Sequence, residues 1–167
     1  MSKIKKILAP TDYSDLSNTG LRHAFESAYE AGAELIVLHV IDVGEDWVGK
    51  RKNFSPVRNL MAEQKEFLDK FLREKFREFM NLVEVHQRVE VGTAYVNIAE
   101  MAEREGADVI MMSTHGRTGL DHILLGSVTE KVIAHAHCPV LAIPASKRHD
   151  ISSISTREST YSSMCFC

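Results

Sequence analysis

Short apolar runs that stop at polar or glycine-bearing turns alternate along this chain with longer segments of helical period. That alternation leaves few folds open. The run Leu35 to Val40 is nearly continuous in its apolar character, as expected of a strand covered on both faces. Ile4, Ile7 and Leu8 lead into Pro10-Thr11-Asp12 as a first strand with a polar exit, and Val109 to Met112 and Val140 to Ile143 repeat the pattern. Val83 to Val91 alternates imperfectly, and its mixed polarity suits a sheet edge. A first helix, capped by Ser14 or Ser17, runs to about Ala31, carries Leu21, Ala24, Phe25 and Ala28 on one face, and ends at Gly32. A second, from about Pro56 to Met80, bears one apolar stripe that includes Phe67, Leu68, Phe71, Leu72, Phe76 and Phe79. A shorter helix through Val96, Ile98, Ala99, Met101 and Ala102 ends near Gly106, and a last one spans Ser127 to about His135. Strands that alternate with helices require right-handed crossovers and a parallel sheet, so the expected class is a single-domain, doubly wound α/β fold with five strands.

The totals agree with that class and exclude others. A chain of 167 residues fits one domain. Its net charge of -3 and pI of about 6.2 carry no basic excess for nucleic acid or an acidic membrane surface. The opening MSKIKKILAP is too short in its apolar part for a signal-peptide core, and no run approaches bilayer length. Three cysteines, Cys138, Cys165 and Cys167, make no disulfide framework, so a reducing cytoplasm is the expected compartment. From Ser146 to Cys167 the chain turns rich in Ser and Thr and loses its helical period, which reads as a flexible tail.

The chemistry concentrates in Asp108 to Pro144: strand, glycine-bearing loop, helix, strand. A helix start offers unpaired N–H groups and the positive end of a dipole, and an anion placed there meets both. Gly126 admits close approach to the backbone, Gly116 permits a positive φ, Arg117 adds charge, and Ser127 with Glu130 reads as a capping box. His115 lies in the same loop and is the histidine best placed to touch a ligand. In an open parallel sheet, ligands bind outside the carboxyl ends of strands, which is where Thr11 and Asp12 stand. Asp12 can accept hydrogen bonds from a ribose or adenine, hold a metal that bridges phosphates, or merely stabilise the strand-to-helix turn. A competing signal, Gly44 to Lys50, fits the start of a Walker A motif but continues with Arg51 where Ser or Thr should hold magnesium, and two acids lie inside the cradle. His135, His137 and Cys138 lack the spacing of a zinc site, and His39 reads as a hydrogen-bonded strand residue.

These segments resemble the universal stress protein family, many of whose members bind ATP through Gly-x-x-Gly, nine residues, then Gly followed by Ser or Thr. Here Gly116 and Gly126 are separated by nine residues and Ser127 follows, while Ser113 stands where the first glycine is expected. HCPVLAIP, residues 137 to 144, is similar to the family as well, and the likeness runs from Ile4 to Pro144. The resemblance implies a Rossmann-like sheet of order 3-2-1-4-5, a domain over 1–145 and a tail over 146–167. It implies ATP, with magnesium or manganese accompanying the phosphates. Pro10, Thr11 and Asp12 would sit against the nucleotide, and Val40 would pack on adenine. Met112, Ser113, His115, Gly116 and Arg117 would come from the loop side, and Gly126, Ser127 and Val128 from the helix start. It further implies a homodimer whose Val140–Ile143 strands pair antiparallel, and a cytoplasmic regulatory role in the stress response with a downstream protein partner. A dimeric interaction protein without nucleotide, or a slow ATP hydrolase, are the alternatives. Ser113 separates the first two: at negative φ it is harmless, and at positive φ its side chain is strained and collides with a ligand.

Overall fold

The computed structural model describes residues 3–42, 55–114 and 125–144. The Walker-like segment, the loop with His115, Gly116 and Arg117, and the tail with Cys165 and Cys167 lie outside the described residues. The order of elements is β1 (Lys6–Pro10), α1 (Asp15–Ala31), β2 (Glu34–Asp42), α2 (Ser55–Lys75), β3 (Val85–Gly92), α3 (Ala94–Glu105), β4 (Val109–Ser113), α4 (Ser127–His135) and β5 (Val140–Ile143). All strand pairs are parallel and the sheet order is β3-β2-β1-β4-β5, as expected.

Alternation along the central strands builds two cores. Ile7 and Ala9 of β1 with Leu35 and Val37 of β2 meet Leu21 and Phe25 of α1 and Leu68 and Leu72 of α2. Leu8, Ile36, Leu38 and Ile110 point the other way, onto Ile98 and Met101 of α3 and Val132 of α4. Apolar residues on both faces are therefore what makes these runs continuous in sequence. The edge strand β3 is different: its side chains are mostly half-buried, and they find polar partners on neighbouring elements. Arg88 pairs with Glu105 at 3.0 Å, Glu90 with Arg104 at 2.7 Å, and Gln87 donates to Asp69 at 2.9 Å.

Three helix caps fall where the residues call for them. Ser14 accepts from the Ser17 N–H at 3.1 Å at the start of α1, and Gly32 and Gly106 close α1 and α3 in the left-handed region at φ 61° and 65°. The second helix stops at Lys75, short of the expected Met80, and β3 starts at Val85 rather than Val83. The stripe continues past the helix because Phe76 and Phe79, in turns, still stack on Phe25 at 5.0 and 5.4 Å. No described helix is long and apolar enough to cross a membrane.

Asp108 joins the two central strands at their amino ends, accepting from the Lys5 and Lys6 amides at 2.7 and 2.9 Å. Those two backbone bonds, outweighing desolvation, hold its carboxyl below the ordinary aspartate value. A depressed folded-state pKa stabilises the fold above the unfolded value and is lost as pH falls through the folded one. Thermal stability should therefore drop on acidification below about pH 4, and Asp108→Asn should make that drop shallower. Melting scans between neutral and acid pH read this out.

Candidate functional site

The connection leaving β1 runs to α1 on one face of the sheet, and the connection leaving β4 runs to α4 on the other. Neighbouring strands whose exits diverge leave a crevice at their carboxyl ends. A cleft of about 840 Å³ occupies that place. From β1 and its exit it is lined by Pro10, Thr11, Asp12 and Tyr13, and from β2 by Leu38 to Asp42. Gln64 and Phe67 of α2 and Ala94 and Ile98 of α3 close its sides. Met112, Ser113 and Gly126 to Thr129 form the wall opposite β1. Pro10, Thr11, Asp12, Val40, Met112, Ser113, Gly126, Ser127 and Val128 thus lie around one space.

The β1 exit is a tight, hydroxyl-rich turn. Pairing with β2 ends at Pro10, and the Thr11 amide makes a last bond to the Leu38 carbonyl at 2.9 Å. Thr11 Oγ1 accepts from the Tyr13 amide at 3.1 Å and lies 3.2 Å from Ser17 Oγ. One carboxylate oxygen of Asp12, Oδ1, accepts from both the amide and the hydroxyl of Ser14, at 3.0 and 2.6 Å. Turn stabilisation and a position on the cleft wall are therefore combined in this aspartate, not exclusive of each other. Tyr13 has φ 64°, the only positive φ outside glycine among the described residues. Its ring stacks on His39 at 4.2 Å and meets Phe67 and Phe71 edge-on at 4.8 and 5.1 Å.

Left-handed backbone in a tyrosine costs roughly 1–2 kcal/mol. Three ring contacts at roughly 0.5–1.5 kcal/mol each exceed that. Tyr13→Gly should relieve the backbone and still lose stability, by about 2 kcal/mol, in a urea unfolding curve.

The β4 exit is organised by Ser113. Its φ is negative, so serine sits there without strain. Its hydroxyl is turned into α1, accepting from the Gly20 amide at 2.8 Å and donating to the Leu16 carbonyl at 2.6 Å. Those two groups lie four residues apart in α1, so the hydroxyl is held by the backbone of one helical turn. Gly20 makes this possible, because a Cβ there would stand 2.4 Å from the Ser113 nitrogen. The Ser113 carbonyl accepts from Thr129 Oγ1 of α4 at 3.0 Å, inside the protein. One residue thus ties α1, β4 and α4 together below the cleft.

The start of α4 corrects the expected capping box. The N-cap residue is Gly126, at φ -68° and ψ 152°, with no side-chain cap; Ser127 is the first helical residue and is exposed. The chain's entry is set instead by the Gly126 amide, which donates to the Thr114 carbonyl at 2.6 Å. A helix start without a side-chain acceptor keeps its amides and dipole for an anion. That donor set fits a phosphate. Among the described residues no group of three or more His, Cys, Asp or Glu is arranged to hold a metal. His39, Tyr13, Gln64 and Phe67 line the cleft without having been singled out as site residues. Only His39 carried a signal, as a polar residue inside an apolar strand, and its Nδ1 is bonded to the Thr11 carbonyl at 2.9 Å.

Fold and cleft together define a doubly wound α/β protein with a cleft at the switch point between its two central strands. Residues 3–144 match the universal stress protein family, and the chain belongs to that family. It is similar to a universal stress protein of Methanocaldococcus jannaschii, 38% identical over 154 residues, with 86% of this chain and 84% of that one covered. Among solved structures it is similar to the Methanocaldococcus jannaschii protein MJ0577, 34% identical, covering 88% of this chain and all of that one, at a TM-score of 0.70. It shares its fold with a universal stress protein solved in complex with cAMP, 22% identical, at a TM-score of 0.66 and covering 87% of this chain and all of that one.

Proposed function

We propose that this chain is a cytoplasmic regulatory protein that binds ATP in the cleft between the exits of β1 and β4. Adenine lies near Pro10 and Val40, the ribose near Asp12, and the phosphates over Gly126 and Ser127. His115, Gly116 and Arg117, which precede them in sequence, contribute further contacts. The observation that carries this reading is the start of α4, which borders the cleft without a side-chain cap. Backbone amides in that arrangement favour phosphate oxygens. Magnesium or manganese would accompany the phosphates and offset their charge, with Asp12 as the side chain that would help to hold it. A protein of the same fold, solved in complex with cAMP, supports an adenine nucleotide as the ligand class.

Ser113 was the one residue favouring a family member that has lost its ligand. Its φ is not positive and its hydroxyl is engaged by Leu16 and Gly20 of α1, which supports the reading with nucleotide. Hydrolysis needs an activated water; Asp12 and Asp42 are the carboxylates lining the cleft, and one oxygen of Asp12 is already engaged by Ser14. No observation favours turnover. Leu141, 48% exposed on the edge strand β5, gives that sheet edge an apolar residue suited to pairing with a second copy. Nucleotide occupancy then shifts the equilibrium of dimer or partner contacts, in the stress response that the family serves.

The test is direct. Protein purified without added nucleotide is denatured, and the supernatant is analysed by absorbance and mass spectrometry. Near-stoichiometric ATP is expected; no released nucleotide, with no uptake at millimolar Mg-ATP, overturns the reading.

A further inference from the structure

We propose that His39 is a positioning residue for the cleft, a clamp on β2 that sets the conformation of Thr11-Asp12-Tyr13 and thereby the place of Asp12 against a nucleoside. The proposal rests on the adenine-nucleotide reading of the cleft and adds to it a residue that does not need to touch the ligand.

The clamp begins where the sheet ends. The last rung between β1 and β2 runs from the Thr11 amide to the Leu38 carbonyl. In a continuing parallel ladder the Thr11 carbonyl would accept from the next backbone amide of β2. His39 Nδ1 bonds that carbonyl instead, at 2.9 Å, with both residues buried. A carbonyl only accepts, so Nδ1 carries the proton. The peptide between Thr11 and Asp12 is planar and trans, so fixing its carbonyl also fixes the direction of the Asp12 N–H. The same imidazole stacks on the Tyr13 ring at 4.2 Å, with 29° between planes. One side chain thus grips the residues on both sides of Asp12, one by its carbonyl and one by its ring. Tyr13 sits at φ 64°, a conformation that persists only where surroundings hold it. With its neighbours fixed, the Asp12 carboxylate is left to bond Ser14 on the rim of the cleft. The geometry of the β1 exit is therefore dictated from β2, and a ligand bound beside Asp12 meets a turn already in place.

Two substitutions separate the clamp from simple space-filling. His39→Asn keeps an N–H donor near the position of Nδ1 and loses the ring; His39→Phe keeps a ring and loses the donor. Calorimetry with Mg-ATP should find His39→Asn within about threefold of wild type and His39→Phe weakened roughly tenfold, the equivalent of one lost hydrogen bond. Competition by inorganic tripolyphosphate should be unchanged in both, because the clamp acts at the nucleoside end. A side chain that only fills space predicts the reverse order, since phenylalanine preserves more volume. A second measurement needs no ligand. The Tyr13 and Ser14 amides donate to Thr11 Oγ1 and Asp12 Oδ1, and in His39→Phe their hydrogen exchange should be roughly tenfold faster. Equal exchange in wild type and both variants overturns the proposal, whatever the ATP affinity. If the amides respond as expected but wild type takes up no Mg-ATP, the clamp stands and the nucleotide reading falls.

Discussion

Gly20→Ala should destabilise the protein by about 3 kcal/mol and lower its Tm by about 10 °C, although alanine is the better helix former. In an exposed helix interior the substitution would gain roughly 1 kcal/mol. Here the new Cβ would lie 2.4 Å from the Ser113 nitrogen and 2.8 Å from the Met112 carbonyl carbon. Both are backbone atoms of a central strand, which cannot rotate aside as a flexible side chain would. Overpacking of that kind costs roughly 1–3 kcal/mol before any bond is broken. Moving α1 outward to relieve it also withdraws Leu16 and the residue 20 amide from the Ser113 hydroxyl, leaving a buried group without its partners. Ser113→Gly should not rescue the variant, because the closest contact is with main chain. An unchanged or raised Tm for Gly20→Ala in a calorimetric scan would mean that α1 does not pack on β4 at this point.

Gly126→Val is expected to remove measurable nucleotide binding and leave a folded protein. At φ -68° and ψ 152° the backbone is in a region that valine adopts readily, so the fold has little reason to object. The cleft does. Position 126 is the N-cap of α4 and lines the space opposite Asp12, so a branched side chain competes with an anion approaching the first-turn amides. Binding titrations with Mg-ATP, with circular dichroism to verify folding, measure both halves of the expectation. Normal ATP binding by a folded Gly126→Val protein would place the phosphates elsewhere.

The fold was legible where burial dictates residue type. Runs such as Leu35 to Val40 are apolar on both faces because α1 and α2 cover one side and α3 and α4 the other. Gly32 and Gly106 could be read as helix ends because the left-handed residues they supply are ones a side chain disfavours. Strand order needed the family resemblance, since alternation alone does not number the strands. The end of α2 was obscured because Phe76 and Phe79 keep facing Phe25 after the helix has given way to turns.

The candidate site was legible in its chemistry and less so in its geometry. Ser127 and Glu130 have the spacing of a capping box, but spacing does not encode the bond from the Gly126 amide to the Thr114 carbonyl that moves the cap back one residue. Ser113 was recognisable as a departure from glycine, whereas the direction of its hydroxyl depends on the missing Cβ of Gly20, far away in the chain. Tyr13 gave no sign of a positive φ. The rings that hold it there come from β2 and α2, and only the folded chain brings them together.

The central claim is that two segments far apart in sequence, the exit of β1 and the start of α4, bind one ligand. Backbone NMR during a Mg-ATP titration tests it most directly. The account predicts that amides at Thr11 and Asp12 and at Ser127, Val128 and Thr129 shift together and saturate with a single Kd, while the β3 edge at Val85–Gly92 stays still. Shifts confined to one of the two segments, or absent from both at millimolar Mg-ATP, would contradict it.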